Sequence, residues 1–290
     1  MKLNKSQLKI FLFISKRLIT NAKDISSSLK ISQSLAYLDL SRLETLNLIE
    51  KINEKIKISQ KKFARDLANL LNEDETLMET LANLGIPILS ILTEKHNLIA
   101  IANETKTSAA TIYPYLRKLI KRNIIKKEKK EFVFNKELWD DLYQFIILYH
   151  EDCILNKFNV PNNAKTYYLS EEEAIFSLPI EYKEATKTAF SSYEKYGIRL
   201  FEKEIYYRLP INKKINEKII LLDSFKVSKN SARKKLYCYL FYLKNQKKLK
   251  RIKSEELEIF KNIIKDNKKY PDYPTKEEII EKADDYDIQI

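Results

Sequence analysis

Glycine is almost missing from this chain: Gly85 and Gly197 are the only two in 290 residues. Loops that cradle phosphate need several closely spaced glycines, because the backbone must approach the oxygens and adopt positive φ. Rossmann- and Walker-type nucleotide sites are therefore excluded. Cysteine is equally scarce, and Cys153 and Cys238 give no disulfide framework. One context is suggestive, His150-Glu151-Asp152-Cys153, where His and Cys three apart share a helical face. A tetrahedral metal site needs more ligands, and the remaining histidine and cysteine are His96 and Cys238. The expectation is no metal, no cofactor, no catalytic residue and no enzymatic activity. Long apolar runs are missing too: no stretch approaches the roughly 18 apolar residues of a membrane helix. Ile10-Phe11-Leu12-Phe13-Ile14 is followed at once by Lys16-Arg17 with no small-residue cleavage site. It reads as a first helix and not as a signal peptide, and a cytoplasmic location is expected.

What the chain has is a repeat. Ile25-Ser26, Lys30-Ile31-Ser32 and Tyr37 to Leu43 return 76 positions later as Ile101-Ala102, Lys106-Thr107-Ser108 and Tyr113 to Leu119. The register holds through Asn47-Leu48-Ile49 and Asn123-Ile124-Ile125, then Ile56-Lys57-Ile58 and Phe132-Val133-Phe134. A fixed offset means one supersecondary unit built twice. Each copy reads as a short helix, a polar turn, a second helix and two short strands around a basic connector, the layout of a winged helix-turn-helix.

In the second copy Ile112, Leu116 and Leu119 share one helix face at spacings of four and three, and Ile101 anchors the preceding helix. The opposite face carries Tyr113, Arg117, Lys121 and Arg122, with Lys118 and Ser108 alongside, and Lys126-Lys127-Glu128-Lys129-Lys130 follows as the wing. From Lys106 to Lys130 nine Lys or Arg stand against one acid. A cationic helix of this kind fits the major groove, where Arg reads base edges and Lys contacts phosphate. The net charge of +13 and pI near 9.3 agree with a polyanionic partner. AT-rich coding bias also raises Lys content, but it does not gather the charge into one helix and wing.

Thr111-Ile112-Tyr113-Pro114-Tyr115-Leu116-Arg117-Lys118-Leu119 resembles the recognition helix of PadR-type winged-helix repressors. Pro is tolerated in the first turn of a helix, so Pro114 predicts a helix beginning near Ala110. The first copy has Leu38 at that position, and its helix is expected to start near Ser32, with Ser32-Gln33-Ser34 as cap. Its candidate contacts are Gln33, Ser34, Tyr37 and Arg42, with Ser41 beside them. Asp39 and Glu44 dilute the charge, and the wing is basic only through Lys51, Lys55 and Lys57. Two readings stand open: both copies read DNA, or the first serves protein contacts.

Beyond Val160-Pro161-Asn162-Asn163-Ala164 lies a third module, joined by a linking helix over Leu138 to Leu155. Lys165 to Leu169 and Ile198 to Leu209 read as strands. Helices are expected over Glu171–Ser177, Glu181–Lys195, Asn212–Ser224, Ser228–Gln246, Ser254–Lys265 and Thr275–Tyr286, with Leu236 to Leu243 central because it is apolar all round. Ser191 to Ile198, Ile205-Tyr206-Tyr207, Leu240 to Asn245 and Tyr273 to Ile288 resemble the carboxy-terminal domain of archaeal winged-helix regulators, which is similar to nucleotidyltransferase-like modules of type IV antitoxins. An active transferase of that kind needs a Gly-Ser loop, which this chain lacks. From Lys213 to Arg251 thirteen basic residues face two acids, while Asp266 to Asp287 holds eight acids and four lysines. The basic stretch is either a phosphate track or a solvated surface, and Tyr237, Tyr239 and Tyr242 are expected in the core and not as base-stacking platforms.

The sequence thus predicts a mainly α protein with small β wings: a first winged helix-turn-helix over 1–72, a second over 73–136, a linking helix and linker over 137–160, and an α+β C-terminal domain over 161–290. The expected function is sequence-specific binding of double-stranded DNA in transcription regulation, with partner binding or homodimerisation through the C-terminal domain. The alternative is an antitoxin-like or scaffold protein whose work is to bind a protein partner.

Overall fold

In the computed structural model, residues 2–211 and 214–289 are described, and they form two compact units, Met1–Cys153 and Ile154–Ile290. The first unit runs α1 (Lys5–Ser15), α2 (Ala22–Leu29), α3 (Gln33–Thr45), β1 (Ile49–Ile52), β2 (Lys55–Ile58), α4 (Lys62–Glu73), α5 (Leu77–Leu81), α6 (Gly85–Ile91), β3 (His96–Asn97), α7 (Leu98–Thr105), α8 (Ala109–Lys121), β4 (Ile125–Glu128), β5 (Glu131–Phe134) and α9 (Asp140–Lys157). The last of these crosses the boundary between the units.

The offset of 76 seen in the sequence is a structural offset. Asn21 and Asn97 cap α2 and α7, each accepting the backbone N–H three residues on. Ser32 and Ser108 cap α3 and α8 in the same way. Lys30 (φ 53°) and Lys106 (φ 51°) end the first helices of the pairs, and Asn47 (φ 54°) and Asn123 (φ 55°) follow the second. These left-handed positions are where glycine is usual. Among the described residues twelve non-glycine positions have positive φ, six of them Asn, so a chain with almost no glycine turns on asparagine, which tolerates that region. The hairpins repeat as well: Ile49↔Ile58 in the first is Ile125↔Phe134 in the second.

The repeat extends further than the motif suggested. The span of α4, moved by 76 positions, falls at 138–149, within the reach of α9. The expected linking helix is therefore the fourth helix of the second repeat. Its Leu142, Phe145, Ile146 and Tyr149 are buried in the same core as Phe63, Leu67 and Leu71 of α4. One continuous core runs through all of α1 to α9, so the two repeats are fused rather than strung together.

Connectors complete the fusion. Arg122 donates to Thr76 Oγ1 at 2.8 Å and is paired with Asp74, Lys5 pairs with Glu79 at 2.7 Å, and Asn83 N–H donates to the Leu3 carbonyl at 2.6 Å. Gly85 enters α6 at a point where a Cβ would lie 1.9 Å from the Thr80 carbonyl oxygen, so only glycine fits.

The second unit has a four-stranded antiparallel sheet in the order β6-β7-β9-β8, from β6 (Lys165–Leu169), β7 (Ala174–Leu178), β8 (Thr186–Lys187) and β9 (Ile205–Leu209). A 3-10 helix, Ala189–Tyr196, precedes β9, and α10 (Glu217–Ser228), α11 (Ala232–Lys244), α12 (Gln246–Leu249), α13 (Glu255–Asp266) and α14 (Lys276–Asp284) follow it. Three expectations fail here. Glu171–Ser177 is not a helix: β7 occupies it, and all five residues of Ala-Ile-Phe-Ser-Leu are buried because both faces of the strand are covered. Glu181–Lys195 gives β8 and the 3-10 helix, since the buried Thr188 hydroxyl donates to Asp223 at 2.6 Å and holds the chain extended beside β9. The Ile198–Leu209 strand shrinks to β9, because Gly197 (φ 72°) turns the chain and 199–204 runs as a loop.

The remaining helices agree with expectation to within a few residues. The start proposed for α10, at Asn212, lies outside the described residues, as does Lys213; the helix begins after Asn216, which accepts from Ile219 N–H at 3.0 Å. As expected for a central helix, α11 buries Cys238, Tyr239, Leu240, Phe241 and Tyr242, and Tyr239 stacks on Phe260 with centroids 4.6 Å apart. Beside the sheet, Arg208 reaches Asp223 Oδ1 at 2.6 Å and also pairs with Glu173, to which Lys226 is joined. Burial still pushes the Asp223 carboxyl above its usual range despite the Thr188 and Arg208 bonds.

Candidate nucleic-acid interface

Two opposite faces of α8 follow directly from its sequence. Ile112, Leu116 and Leu119 are fully buried, whereas Tyr113, Pro114, Arg117, Lys118 and Lys121 form one exposed stripe at spacings of three and four. Lys118 and Lys121 lie in the last turn, where cations also favour the helix dipole. Pro114 is not in the first turn as the sequence suggested. It sits in the second, six residues into a helix that starts at Ala109, and its exposed ring lines a shallow groove with Arg117, Lys118, Ile120 and Lys121.

The hairpin after α8 continues the charge. Phe132 and Phe134 of β5 point into the core, while Lys126, Lys127, Lys129 and Lys130 are exposed, with Lys129 (φ 57°) at the turn. Not all of these cations are equally free. Lys126 pairs with Glu137 at 2.8 Å, and Lys127 sits 5.9 Å from the Phe132 ring centroid. Lys118 lies 6.0 Å from the centroid of Tyr115. Arg117, Lys121, Lys129 and Lys130 make no ion pair among the described residues. Lys106, exposed in the left-handed turn between α7 and α8, joins them; sequence reasoning counted its charge without assigning it a contact.

Two expected contacts have other partners. Arg122 is half-buried, and its guanidinium is held by Asp74 and Thr76, so it ties the second repeat to the connector instead of lining the outer face. The Asp74 carboxyl is held below its usual range first by the Thr76 hydroxyl and then by Arg122. Ser108 is exposed, but its Oγ accepts the Thr111 N–H at 3.3 Å as the helix cap.

The first repeat presents different chemistry on the same scaffold. Gln33, Ser34, Tyr37, Ser41 and Arg42 are exposed on α3, as are Leu35 and Leu38. Its acids do not dilute the outer charge as expected. Asp39 is buried and accepts from Gln7 at 3.0 Å, and Glu44 pairs with Lys51 at 2.9 Å. Lys57 pairs with Glu50 at 3.2 Å, so of the three expected wing cations only Lys55 is without a partner.

The cysteines carry no sign of reactivity. Burial pushes the Cys153 thiol up to about 11 and that of Cys238 up to about 12, leaving both protonated at neutral pH. In the second unit Asp285 pairs with Lys282 at 2.6 Å at the end of α14, and Lys248 of the basic stretch pairs with Glu217 on α10. Among the described residues no group of three His, Cys, Asp or Glu gathers where it would hold a metal ion, and no helix is long and apolar enough to cross a membrane. No protein-family model, curated protein or solved structure matches the chain.

Proposed function

We propose that each repeat of the first unit is a winged helix-turn-helix and that the chain is a sequence-specific, double-stranded DNA-binding transcriptional regulator. The second repeat does the reading. Its α8 enters the major groove, Arg117 and Tyr113 face base edges, and Lys121, Lys106, Lys129 and Lys130 meet phosphates on either side. The observation that carries this reading is the coincidence of an outward cationic stripe on α8 with unpaired lysines at the tip of the hairpin, on a scaffold whose twin has Ser41, Arg42 and Thr45 in place of Arg117, Lys118 and Lys121, and Asn53 and Glu54 in place of Lys129 and Lys130. Compositional bias would have raised both repeats alike. The likeness of Thr111 to Leu119 to PadR-type recognition helices supports the same assignment.

Selection of bound duplexes from a random pool tests it. The proposal expects one enriched motif that is lost with Arg117→Ala. A pool that stays random after several rounds at physiological salt would reject sequence-specific reading, because non-specific phosphate contact enriches nothing.

A further inference from the structure

Proline within a helix removes a backbone hydrogen bond that any other residue can make. At Pro114 the missing donor is the N–H that would answer the Ala110 carbonyl four residues back, so in α8 that oxygen has lost its place in the helical ladder. The twin helix keeps the regular arrangement: α3 has Leu38 there, which brings an N–H for the Ser34 carbonyl. Ala110, Pro114, Arg117 and Lys121 are all exposed at spacings of four, three and four, so the freed oxygen lies on the same outward stripe as the cations. Among the described residues no side chain donates to it, and the nearby Thr111 hydroxyl is engaged with that of Ser108 at 2.9 Å. The helix opens on two exposed alanines, Ala109 and Ala110, where the twin has Gln33 and Ser34. The backbone of α8 is therefore open to close approach at a point where α3 presents longer polar side chains.

We propose that Pro114 makes the Ala110 carbonyl a base-reading group, which accepts a hydrogen bond from the exocyclic amino group of adenine or cytosine in the major groove. The inference rests on the assignment of α8 to DNA and adds a specificity determinant to it. The groove edges decide which bases qualify. Adenine N6 and cytosine N4 carry donors, whereas guanine presents O6 and N7 and thymine presents O4, all acceptors. A carbonyl oxygen therefore favours A or C at the base it meets and opposes G or T, where oxygen would face oxygen. The cations of the stripe cannot make this choice, because Arg117 and Lys121 only donate. The bound sequence then has one position confined to A or C, besides whatever Arg117 reads. A proline in the second turn of a helix breaks a local rule of stability, and here the compensating gain is an acceptor on a face otherwise made of donors.

Duplex selection with the native full chain and with Pro114→Ala, followed by titration of duplexes lacking the amino group in question, tests the contact. Purine in place of adenine, or 2-pyrimidinone in place of cytosine, deletes that group. The native chain is expected to select a motif with one A- or C-confined position and to bind about tenfold more weakly when its amino group is deleted. In Pro114→Ala the restored N–H takes back the Ala110 carbonyl. That variant is expected to lose the preference at this position alone and to become indifferent to the deletion, while its melting temperature rises because alanine suits a helix. Comparing the two chains cancels the weaker pairing of the altered base. A native motif with no A- or C-confined position would overturn the proposal, as would an equal deletion penalty in both chains. Loss of preference at every position in Pro114→Ala would overturn it too, by making Pro114 a determinant of helix shape and not of one contact. A native chain that selects no motif at all would instead reject the DNA reading, and this inference with it.

Discussion

Arg117 and Arg122 lie five positions apart at the end of one helix, and their surroundings separate their roles. Arg117 is exposed and unpaired, whereas Arg122 is locked to Asp74 and Thr76. Arg117→Ala is expected to cost about 1–3 kcal/mol of specific DNA binding and to relax the preference at particular bases. Lys129→Ala and Lys130→Ala should weaken specific and random DNA alike and each lower the salt slope by about 1. Equal loss on both kinds of DNA for all three variants, in titrations over a salt series, would refute that division. Arg122→Ala is expected to leave the base preference intact and to lower stability by roughly 0.5–1 kcal/mol, discounted because the pair is partly solvated. The carboxyl of Asp74 titrates below its usual range, so this contribution is present above about pH 4 and disappears as pH falls through the lowered value. Melting curves of native and variant protein should therefore differ at neutral pH and converge in acid. The thiols are expected to resist alkylation in the native state at mildly alkaline pH and to react once denaturant exposes them, as thiol counting with a maleimide would report.

At the scale of elements, what was legible followed from periodicity and caps. The helices α3 and α8 could be read because their apolar spacing, their Ser caps and the shared offset agree. The face of α8 that would meet DNA could be read for the same reason: burial of Ile112, Leu116 and Leu119 leaves Arg117 and Lys121 outside. Partners remote in sequence were not legible. Nothing local marks Asp74 as the partner of Arg122, or Gln7 as that of Asp39, and these contacts decide which charges are free. Strand β7 was lost because a fully buried strand has no alternation, and its Ala-Ile-Phe run follows three glutamates that suit a helix. The helix over Leu138 to Leu155 was legible, but its place as the fourth helix of the second repeat was not: Phe63 and Leu67 of α4 correspond to Trp139 and Tyr143, so the offset survived while the residues changed. Gly85 supplies an element-scale prediction. A methyl group there collides with the Thr80 carbonyl, which is backbone and cannot swing away. Gly85→Ala should destabilise the first unit by about 2–3 kcal/mol, since the junction of α5 and α6 must shift. An unchanged denaturation midpoint would show that the junction is looser than the contact implies.

Over the whole molecule, one scaffold occurs twice with different surfaces. Each repeat alone would have little interior, but fusion around one core lets both keep their outward helices while their surfaces specialise. The second repeat concentrates unpaired cations on α8 and the hairpin, and the first keeps fewer, with Ser41, Thr45, Asn53 and Glu54 where the second has Arg117, Lys121, Lys129 and Lys130. The second unit, with its antiparallel sheet and central α11, ties up much of its basic stretch internally: Lys226 with Glu173, Lys248 with Glu217, and Lys235 against the Tyr273 ring at 3.4 Å. The most direct test of the account is fluorescence anisotropy of the full chain against the DNA upstream of its own gene and against shuffled DNA of equal composition, over a salt series. The account predicts tighter binding to the native sequence that persists near physiological salt. Equal affinities for the two, falling away together as salt rises, would contradict it and reduce the cationic face to non-specific adhesion.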